Sequence, residues 1–470
     1  MKIETRAHND RYSVEQISCL FFERDADITI ISEYDELCKK ITTTVKAEEK
    51  STSASYEADI SCVKSFKNSV KKSAYLAMSE LSNRNTPWGI LTGIRPTKFV
   101  RDLHKQYSYD EIRALLADDY WVNPEKANFC TEVAENSEKL IKRVEPLTFG
   151  LYLGVPFCPS RCSYCSFVSE SAALYSKYIP EYTEALMKEI KAVAKLSAET
   201  GHKVSSVYFG GGTPPTLGVK GLRDIIECVW ENFEFSDKTP EFTVEAGRPD
   251  IINEELVRTL RISGVNRICI NPQTMNDETL KLIGRNHSSE CTVRAFDFAR
   301  KAGFENINSD LIAGLPGENI DMFLKTLEDI EKLSPEGITV HTMYLKRTSK
   351  ITKEKLWEEC GKDVEKMLEA SAFFARKNAY IPYYMYKQRS TMGNLENTGY
   401  AKKGYESLYN SAIMEEVQTI FACGAGASTK VVRENDIQRI YNIKDAFSYI
   451  RDIDFIIENK VSEIRSLLEK

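Results

Sequence analysis

Residues 149–165 read FGLYLGVPFCPSRCSYC, an apolar run that stops at Pro156 and opens into three cysteines, Cys158, Cys162 and Cys165. The run predicts a buried strand, Phe149–Val155, and the cysteines lie in the loop at its C-terminal end. Spacings of three and then two residues let one loop wrap an iron–sulfur cubane: three thiolates bind three irons and leave the fourth open to a small molecule. Structural zinc is the competing reading. Zinc usually takes four closed ligands, however, and no His or fourth Cys lies within the expected distance; the next cysteine, Cys228, falls inside a helical pattern. The other cysteines (positions 19, 38, 62, 130, 228, 269, 291, 360 and 423) stand singly and read as small buried hydrophobes.

Downstream of Leu147 the rhythm of strand, loop and helix repeats. Candidate strands are Phe149–Val155, Val204–Phe209, Glu241–Ala246, Arg267–Asn271, Asn308–Ala313 and Gly337–Tyr344. Between them lie amphipathic stretches such as YTEALMKEIKAVAKL, KGLRDIIECVWENF and NIDMFLKTLEDIEKL. Six such alternations predict parallel βαβ units. No strand opens with the Gly-x-Gly-x-x-Gly turn of a dinucleotide fold, so the fold class is α/β in the form of a partial (β/α)6 barrel. Reacting groups then belong at the C-terminal ends of the strands. Gly210-Gly211-Gly212-Thr213 follows the second strand, Glu245 ends the third, Gln273 follows the fourth, Arg285 sits in LIGRNH and Asp310 opens DLIAGLPGE. Singly each reads as a turn, cap or surface group; together they read as a polar ring around a zwitterionic nucleoside ligand.

Residues 1–147 form a separate α+β block. SCLFFERDADITIISEY and STSASYEADISCV predict a small antiparallel sheet, and helices are expected over about Val63–Asn83 and Asp110–Arg143. Between those helices the loop TPWGILTGIRPTKF is dense in Trp, Gly and Pro. Beyond residue 350 the pattern is mostly helical, giving three expected domains: 1–147, the barrel 148–350, and a C-terminal accessory region 351–470. The chain of 470 residues carries 63 Lys and Arg against 69 Asp and Glu, a net charge of −6, which excludes a broad basic surface for nucleic acid. No apolar run is long enough for a membrane span and the N-terminus is too polar for a signal peptide, so the expected compartment is the cytoplasm.

The CxxxCxxC spacing, with the aromatic Tyr164 before the third cysteine, resembles the radical S-adenosylmethionine (radical SAM) superfamily. LYLGVPFCPSRCSYCSF, VYFGGGTPP, TVEAGRPD, NRICINPQ, LIGRNH, NSDLIAGLPGE and CGAGAST are together similar to the oxygen-independent coproporphyrinogen III oxidases. NTPWGILTGIRPTK and GNLENTGYAKKG resemble the HemZ-type branch, called coproporphyrinogen dehydrogenase. The resemblance implies a radical SAM barrel in which Cys158, Cys162 and Cys165 ligate a [4Fe-4S] cluster. It further implies that Tyr152, Gly211, Gly212, Thr213, Glu245, Gln273, Arg285 and Asp310 bind S-adenosyl-L-methionine. The implied reaction, in heme biosynthesis, is oxidative decarboxylation of two propionates of coproporphyrinogen III to the vinyl groups of protoporphyrinogen IX. A reduced flavodoxin- or ferredoxin-type protein is the implied electron donor.

Two features depart from that pattern. Where well-studied members carry a further Cys after the motif, this chain reads Ser166-Phe167, and the 1–147 block replaces a short N-terminal segment. A polyanionic tetrapyrrole needs cations, for which Arg161, Arg248, Lys346, Arg347, Lys387 and Arg389 are candidates. Tyr383, Tyr384, Tyr386 and Tyr400 are candidates to flank a flat macrocycle, with a core stripe expected for at least half. The competing functions are a heme-binding chaperone sharing the barrel and a radical enzyme acting on another tetrapyrrole. The chaperone branch carries a His-Asn pair followed by Tyr-Trp in its accessory domain; here no His follows His341.

Overall fold

The computed structural model describes all residues except 49, 166, 168, 345–362, 389, 390, 434, 435 and 470. It divides into two compact units, Met1–Glu132 with Lys387–Glu396, and Val133–Tyr386 with Asn397–Lys470.

In the first unit, strands β1 (Lys2–Arg6), β2 (Ile28–Asp35), β3 (Lys40–Ala47) and β4 (Lys50–Glu57) lie side by side in chain order. β1 runs parallel to β2; the other two pairings are antiparallel, as expected. Period-two alternation turns Ile28, Ile30, Ile41 and Val45 to a core shared with Val14 and Ile17 of the helix Arg11–Phe21 and with Val70, Ala74 and Ala77 of the helix Val63–Ser82. Each fully buried aliphatic side chain contributes about 1.5–3 kcal/mol.

Two expectations are corrected here. The stretch beginning at Ser18 opens as helix: Asp10 caps it by accepting from the Ser13 N–H at 3.2 Å, and Val14, Ile17 and Phe21 share one buried face. A four-residue apolar run satisfies either period, so the cap decides. The helix expected over Asp110–Arg143 is two helices, Tyr109–Asp118 and Pro124–Ile141. Trp121 breaks it at φ 55°, and Pro124 starts the second where a missing N–H costs nothing.

The first part of the loop before Pro96, Trp88–Leu91, proves to be core. Trp88 is fully buried and its Nε1 donates to Glu396 Oε2 at 2.8 Å, while Lys126 Nζ donates to Oε1 of the same carboxylate at 2.6 Å. Lys387 Nζ lies 4.7 Å from the centre of the Trp88 ring and donates to the Leu91 carbonyl at 3.2 Å; burial pushes its pKa down to about 7.

The second unit holds β5 (Thr148–Val155), β6 (Phe157–Cys158), β7 (Glu170–Ser171), β8 (Lys203–Gly211), β9 (Glu241–Gly247), β10 (Arg267–Ile270), β11 (Ile307–Ala313) and β12 (Gly337–Thr342). Beyond them come β13 (Tyr380–Lys387), β14 (Glu396–Lys402), β15 (Thr419–Cys423), β16 (Ser428–Val432) and β17 (Ile437–Tyr441). All six expected barrel strands are present, mutually parallel and neighbours in chain order: β5, β8, β9, β10, β11, β12. Helices Ile179–Glu199, Gly218–Asn232, Glu254–Ile262, Ser289–Lys301 and Ile320–Leu333 alternate with them, and Phe149, Leu151, Val207, Phe242, Val244 and Ile268 belong to the resulting core.

The C-terminal region is richer in strands than its sequence pattern implies. Alongside its helices it contributes five strands to the same sheet: β14 pairs antiparallel to β12, β15 runs parallel to β5, and β16 and β17 continue beyond it. The segment after Ala379 looks loop-like because its Gly, Asn and Tyr residues obscure the alternation. β13 itself, YIPYYMYK, is rich in strand formers but buried on both faces, so it lacks the period-two alternation that would mark it.

Candidate cofactor site

Parallel barrel strands are buried on both faces, and most of their residues here are. Among the part-exposed exceptions, Tyr152 (β5), Tyr208 (β8), Glu245 (β9) and His341 (β12) stand in the C-terminal halves of their strands, and Asp310 stands at the middle of β11. Tyr152 and Tyr208 are register partners with near-parallel rings, centroids 6.4 Å apart. The Tyr208 hydroxyl donates to Glu245 Oε1 at 2.7 Å. A Cβ on Gly210 would sit 3.1 Å from that carboxylate, so the glycine makes room for it.

Burial raises the Glu245 pKa to about 7; the charge of Asp310 adds to this, while the Tyr208 bond and the Arg267 charge oppose it. The sign of the consequence is fixed. A carboxyl ordinarily near 4.5 but near 7 in the fold makes folded stability fall as pH rises between those values and level off above. Denaturant titrations of the cofactor-free protein at pH 5 and 8 are therefore expected to show a larger loss in the parent than in Glu245→Gln. Equal losses would show that Glu245 ionises as it does in water.

Asp310 behaves oppositely. Burial works against its charge, but His341, Asn308 and Thr339 outweigh it and hold the carboxyl below the ordinary range. His341 Nε2 lies 3.6 Å from Asp310 Oδ2, and its Nδ1 is 3.1 Å from the Tyr386 hydroxyl. Gln273 joins Asp310 through the backbone: its N–H donates to the Asp310 carbonyl at 3.0 Å, and the Ile312 N–H donates to its own carbonyl at 3.0 Å. It holds φ at +71°, strain for a residue with a Cβ, of the kind found where a ligand site over-determines the backbone.

The cysteine loop packs against the glycine turn after β8. Gly211 has φ 109°, and the Gly212 and Thr213 N–H groups donate to the Val155 and Phe157 carbonyls at 2.6 and 2.8 Å. A Cβ on Gly212 would meet the Phe157 carbonyl oxygen at 2.5 Å and Cys158 Sγ at 3.0 Å, while the Thr213 hydroxyl donates to Cys158 Sγ at 3.4 Å. Cys158, Cys162 and Cys165 are all half-buried, and burial raises the Cys165 thiol. Arg285 is buried, donates through Nη1 to the Asn271 carbonyl at 2.5 Å, and faces Tyr164 and Cys162. Its Nε finds no hydrogen-bond partner among the described residues.

These features fit the implied groups. Three thiols on one loop are the donor set of a three-ligand cluster. The orphaned Arg285 N–H suits a carboxylate, and Glu245 and Asp310 suit an ammonium or ribose hydroxyls. The structure thus brings Tyr152, Glu245, Gln273 and Asp310 into one group and Gly212, Thr213 and Arg285 against the cysteine loop. Among the described residues, no three His, Cys, Asp or Glu side chains converge as ligands of a single ion.

The sequence reading passed over Tyr208 and His341, though both carry a signal: Tyr208 stands two residues before Gly210 and His341 two after Thr339, on the same strand faces. The cation candidates fare worse. Arg161 is exposed; Arg248 is 4% exposed and bound to Asp250 and Ser160; Lys387 is packed on Trp88. Arg248 and Lys387 are therefore not free to meet an anionic substrate. Lys346, Arg347 and Arg389 lie outside the described residues. Tyr383, Tyr384 and Tyr400 are core residues; Tyr386 is half-buried beside His341.

The Radical SAM superfamily model matches residues 152–330, which span most of the barrel. The oxygen-independent coproporphyrinogen-III oxidase-like protein HemZ of Bacillus subtilis is 37% identical over 390 residues, covering 82% of this chain and 78% of that one. Heme chaperone HemW of Lactococcus lactis is 29% identical over 284 residues, 59% of this chain and 68% of its own. Among solved structures, coproporphyrinogen III oxidase (HemN) from Escherichia coli, a radical SAM enzyme, matches the fold with a TM-score of 0.53 at 23% identity, over 67% of this chain and 71% of that one. No helix among the described residues is long and apolar enough to cross a membrane. With a HemZ relative alike over most of both chains and a radical SAM barrel carrying the cysteine loop, this chain belongs to the radical SAM superfamily, whose members use a [4Fe-4S] cluster and S-adenosylmethionine, and within it to the HemZ-type branch of the oxygen-independent coproporphyrinogen III oxidase family.

Proposed function

We propose that the chain converts coproporphyrinogen III to protoporphyrinogen IX without oxygen. The observation that carries this reading is the 37% identity to the HemZ relative over 390 residues, 82% of the chain and more than the barrel alone. Cys158, Cys162 and Cys165 hold the cluster. Arg285 takes the carboxylate of S-adenosylmethionine, Gly211, Gly212 and Thr213 meet its methionine moiety, and Tyr152, Glu245, Gln273 and Asp310 receive the rest. When bound, these groups supply a 5′-deoxyadenosyl radical able to take hydrogen from a propionate β-carbon. Loss of carbon dioxide and of one electron to an external acceptor then leaves a vinyl group. The chain's part is orientation: Glu245 and Asp310 would fix the nucleoside, and the near-parallel Tyr152 and Tyr208 rings stand beside Glu245. The domains 1–147, 148–350 and 351–470 and a cytoplasmic reduced flavodoxin- or ferredoxin-type donor belong to the same proposal.

Anaerobic turnover tests it. The reconstituted protein with S-adenosylmethionine, a strong reductant and coproporphyrinogen III is expected to yield protoporphyrin together with 5′-deoxyadenosine, both quantified by mass spectrometry. 5′-Deoxyadenosine with untouched coproporphyrin would keep the radical machinery and discard the substrate. The similarity to heme chaperone HemW supports a second reading, heme binding, which predicts a stable heme complex and neither product.

A further inference from the structure

We propose that Arg248 is a positioning residue that clamps the cysteine loop through Ser160 and so keeps its thiolates spaced for the cluster. The proposal rests on ligation of that cluster by Cys158, Cys162 and Cys165. Arg248 follows directly on β9, and its side chain is 5% exposed. The guanidinium closes a fork on Asp250, Nε to Oδ1 at 3.0 Å and Nη2 to Oδ2 at 2.9 Å. This planar two-point match fixes the orientation of the remaining nitrogen. Nη1 then donates to Ser160 Oγ at 2.6 Å and, more weakly, to the Ser160 carbonyl at 3.4 Å.

Ser160 stands midway between Cys158 and Cys162. Its hydroxyl accepts from Arg248 and passes the restraint on, donating to the Gly284 carbonyl at 3.4 Å. Beyond Cys162, the Ser163 N–H donates to the Ile283 carbonyl at 3.0 Å. The loop is thus tied on both sides of Cys162 to the segment that carries Arg285, and Arg248 anchors the tie from β9. His287 Nδ1, on a fully buried ring, lies 3.7 Å from Asp250 Oδ1, beyond hydrogen-bond distance, so the carboxylate that aims Arg248 is fixed by the fork itself. A lysine at position 248 would bring charge without the planar fork, so its ammonium could not make the two-point match to Asp250 that aims a further N–H at Ser160. Groups hydrogen-bonded to a metal ligand typically change metal affinity about 10- to 100-fold; this clamp stands one step further out and acts through the loop backbone, so the lower figure is expected.

The test uses the full chain, reconstituted anaerobically, with Ser160→Ala, Arg248→Ala and Arg248→Lys. Iron and sulfide content and the spectrum of the reduced cluster are recorded first, then the rate of cluster loss to excess chelator. Ser160→Ala removes the tie and is expected to speed loss roughly 10-fold; because it leaves the buried Arg248 Nη1 with only the weaker bond to the Ser160 carbonyl, the thermal midpoint of the cluster-free protein is measured alongside and loss rates are compared well below it. Arg248→Ala is expected to lose cluster at least as fast, and Arg248→Lys to stay closer to Arg248→Ala than to the parent. Parent-like loss rates in Ser160→Ala and Arg248→Ala would overturn the clamp and leave the ligand assignment standing. A parent chain that takes up no iron and sulfide would remove the ligand assignment and the clamp with it.

Discussion

Cys162→Ala is expected to abolish 5′-deoxyadenosine formation and to strip the reconstituted protein of most of its iron and sulfide. Cys162 is the middle of three thiols on one loop, and its carbonyl accepts from the Cys165 N–H at 3.2 Å, so the loop's turn is built around it. Groups one bond removed from a metal ligand cost about 10- to 100-fold when changed; loss of a ligand itself should exceed the upper figure. The loop offers no fourth cysteine: the next in the chain, Cys228, is buried in the helix Gly218–Asn232. Iron analysis and anaerobic turnover on the same preparation give the result. Unchanged iron content in Cys162→Ala would mean that the cluster, if present, is held by other residues.

The second large effect concerns stability. Glu189 lies in the helix Ile179–Glu199 and is fully buried; Lys460 of the helix Ile453–Leu468 is 2% exposed and pairs with it. Oε1 also accepts from Asn442 Nδ2 at 2.9 Å, and Oε2 accepts from the Gly424 N–H at 2.8 Å and the Tyr449 hydroxyl at 2.5 Å. Lys460 in turn donates to the Ala422 carbonyl at 2.7 Å. The cluster fastens the last helix and the CGAGAST turn to the barrel, where a Cβ on Gly424 would meet the Gly154 carbonyl of β5 at 2.2 Å. Lys460→Met leaves a buried carboxylate without its cation and is expected to cost about 3–5 kcal/mol in denaturant unfolding of this unit. Lys460→Met combined with Glu189→Gln should recover much of that, because neither charge is then stranded. A single-variant loss below about 1 kcal/mol would mean that water reaches Glu189 and the pair is not sealed.

The barrel was legible because each of its parts is local. The six strands are short apolar runs closed by turns, and the helices between them repeat every three to four residues; neither pattern needs a partner to be read. The candidate site residues could be nominated for a related reason. Chemistry in a parallel barrel collects at the ends of strands, so Gly211, Glu245 and Asp310 could be ranked by position alone. Misreadings came where a residue's meaning depends on a distant one. Arg248 and Lys387 looked like cations awaiting an anion; one is spent on Asp250 and Ser160, the other on Trp88 and Leu91.

Sequence alone thus determined the parallel barrel, the cysteine loop at the end of its first strand and the order of the polar groups around its rim, since spacing along the chain encodes each of them. Tertiary structure alone decided that β13 to β17 join the barrel sheet and that His341 faces Asp310. It also decided that Glu189, one more acidic residue on an amphipathic helix, lies buried against Lys460. Pairing of edges and burial of charge depend on residues brought together from separate elements, as far as 271 positions apart for Glu189 and Lys460, whose approach no local pattern records.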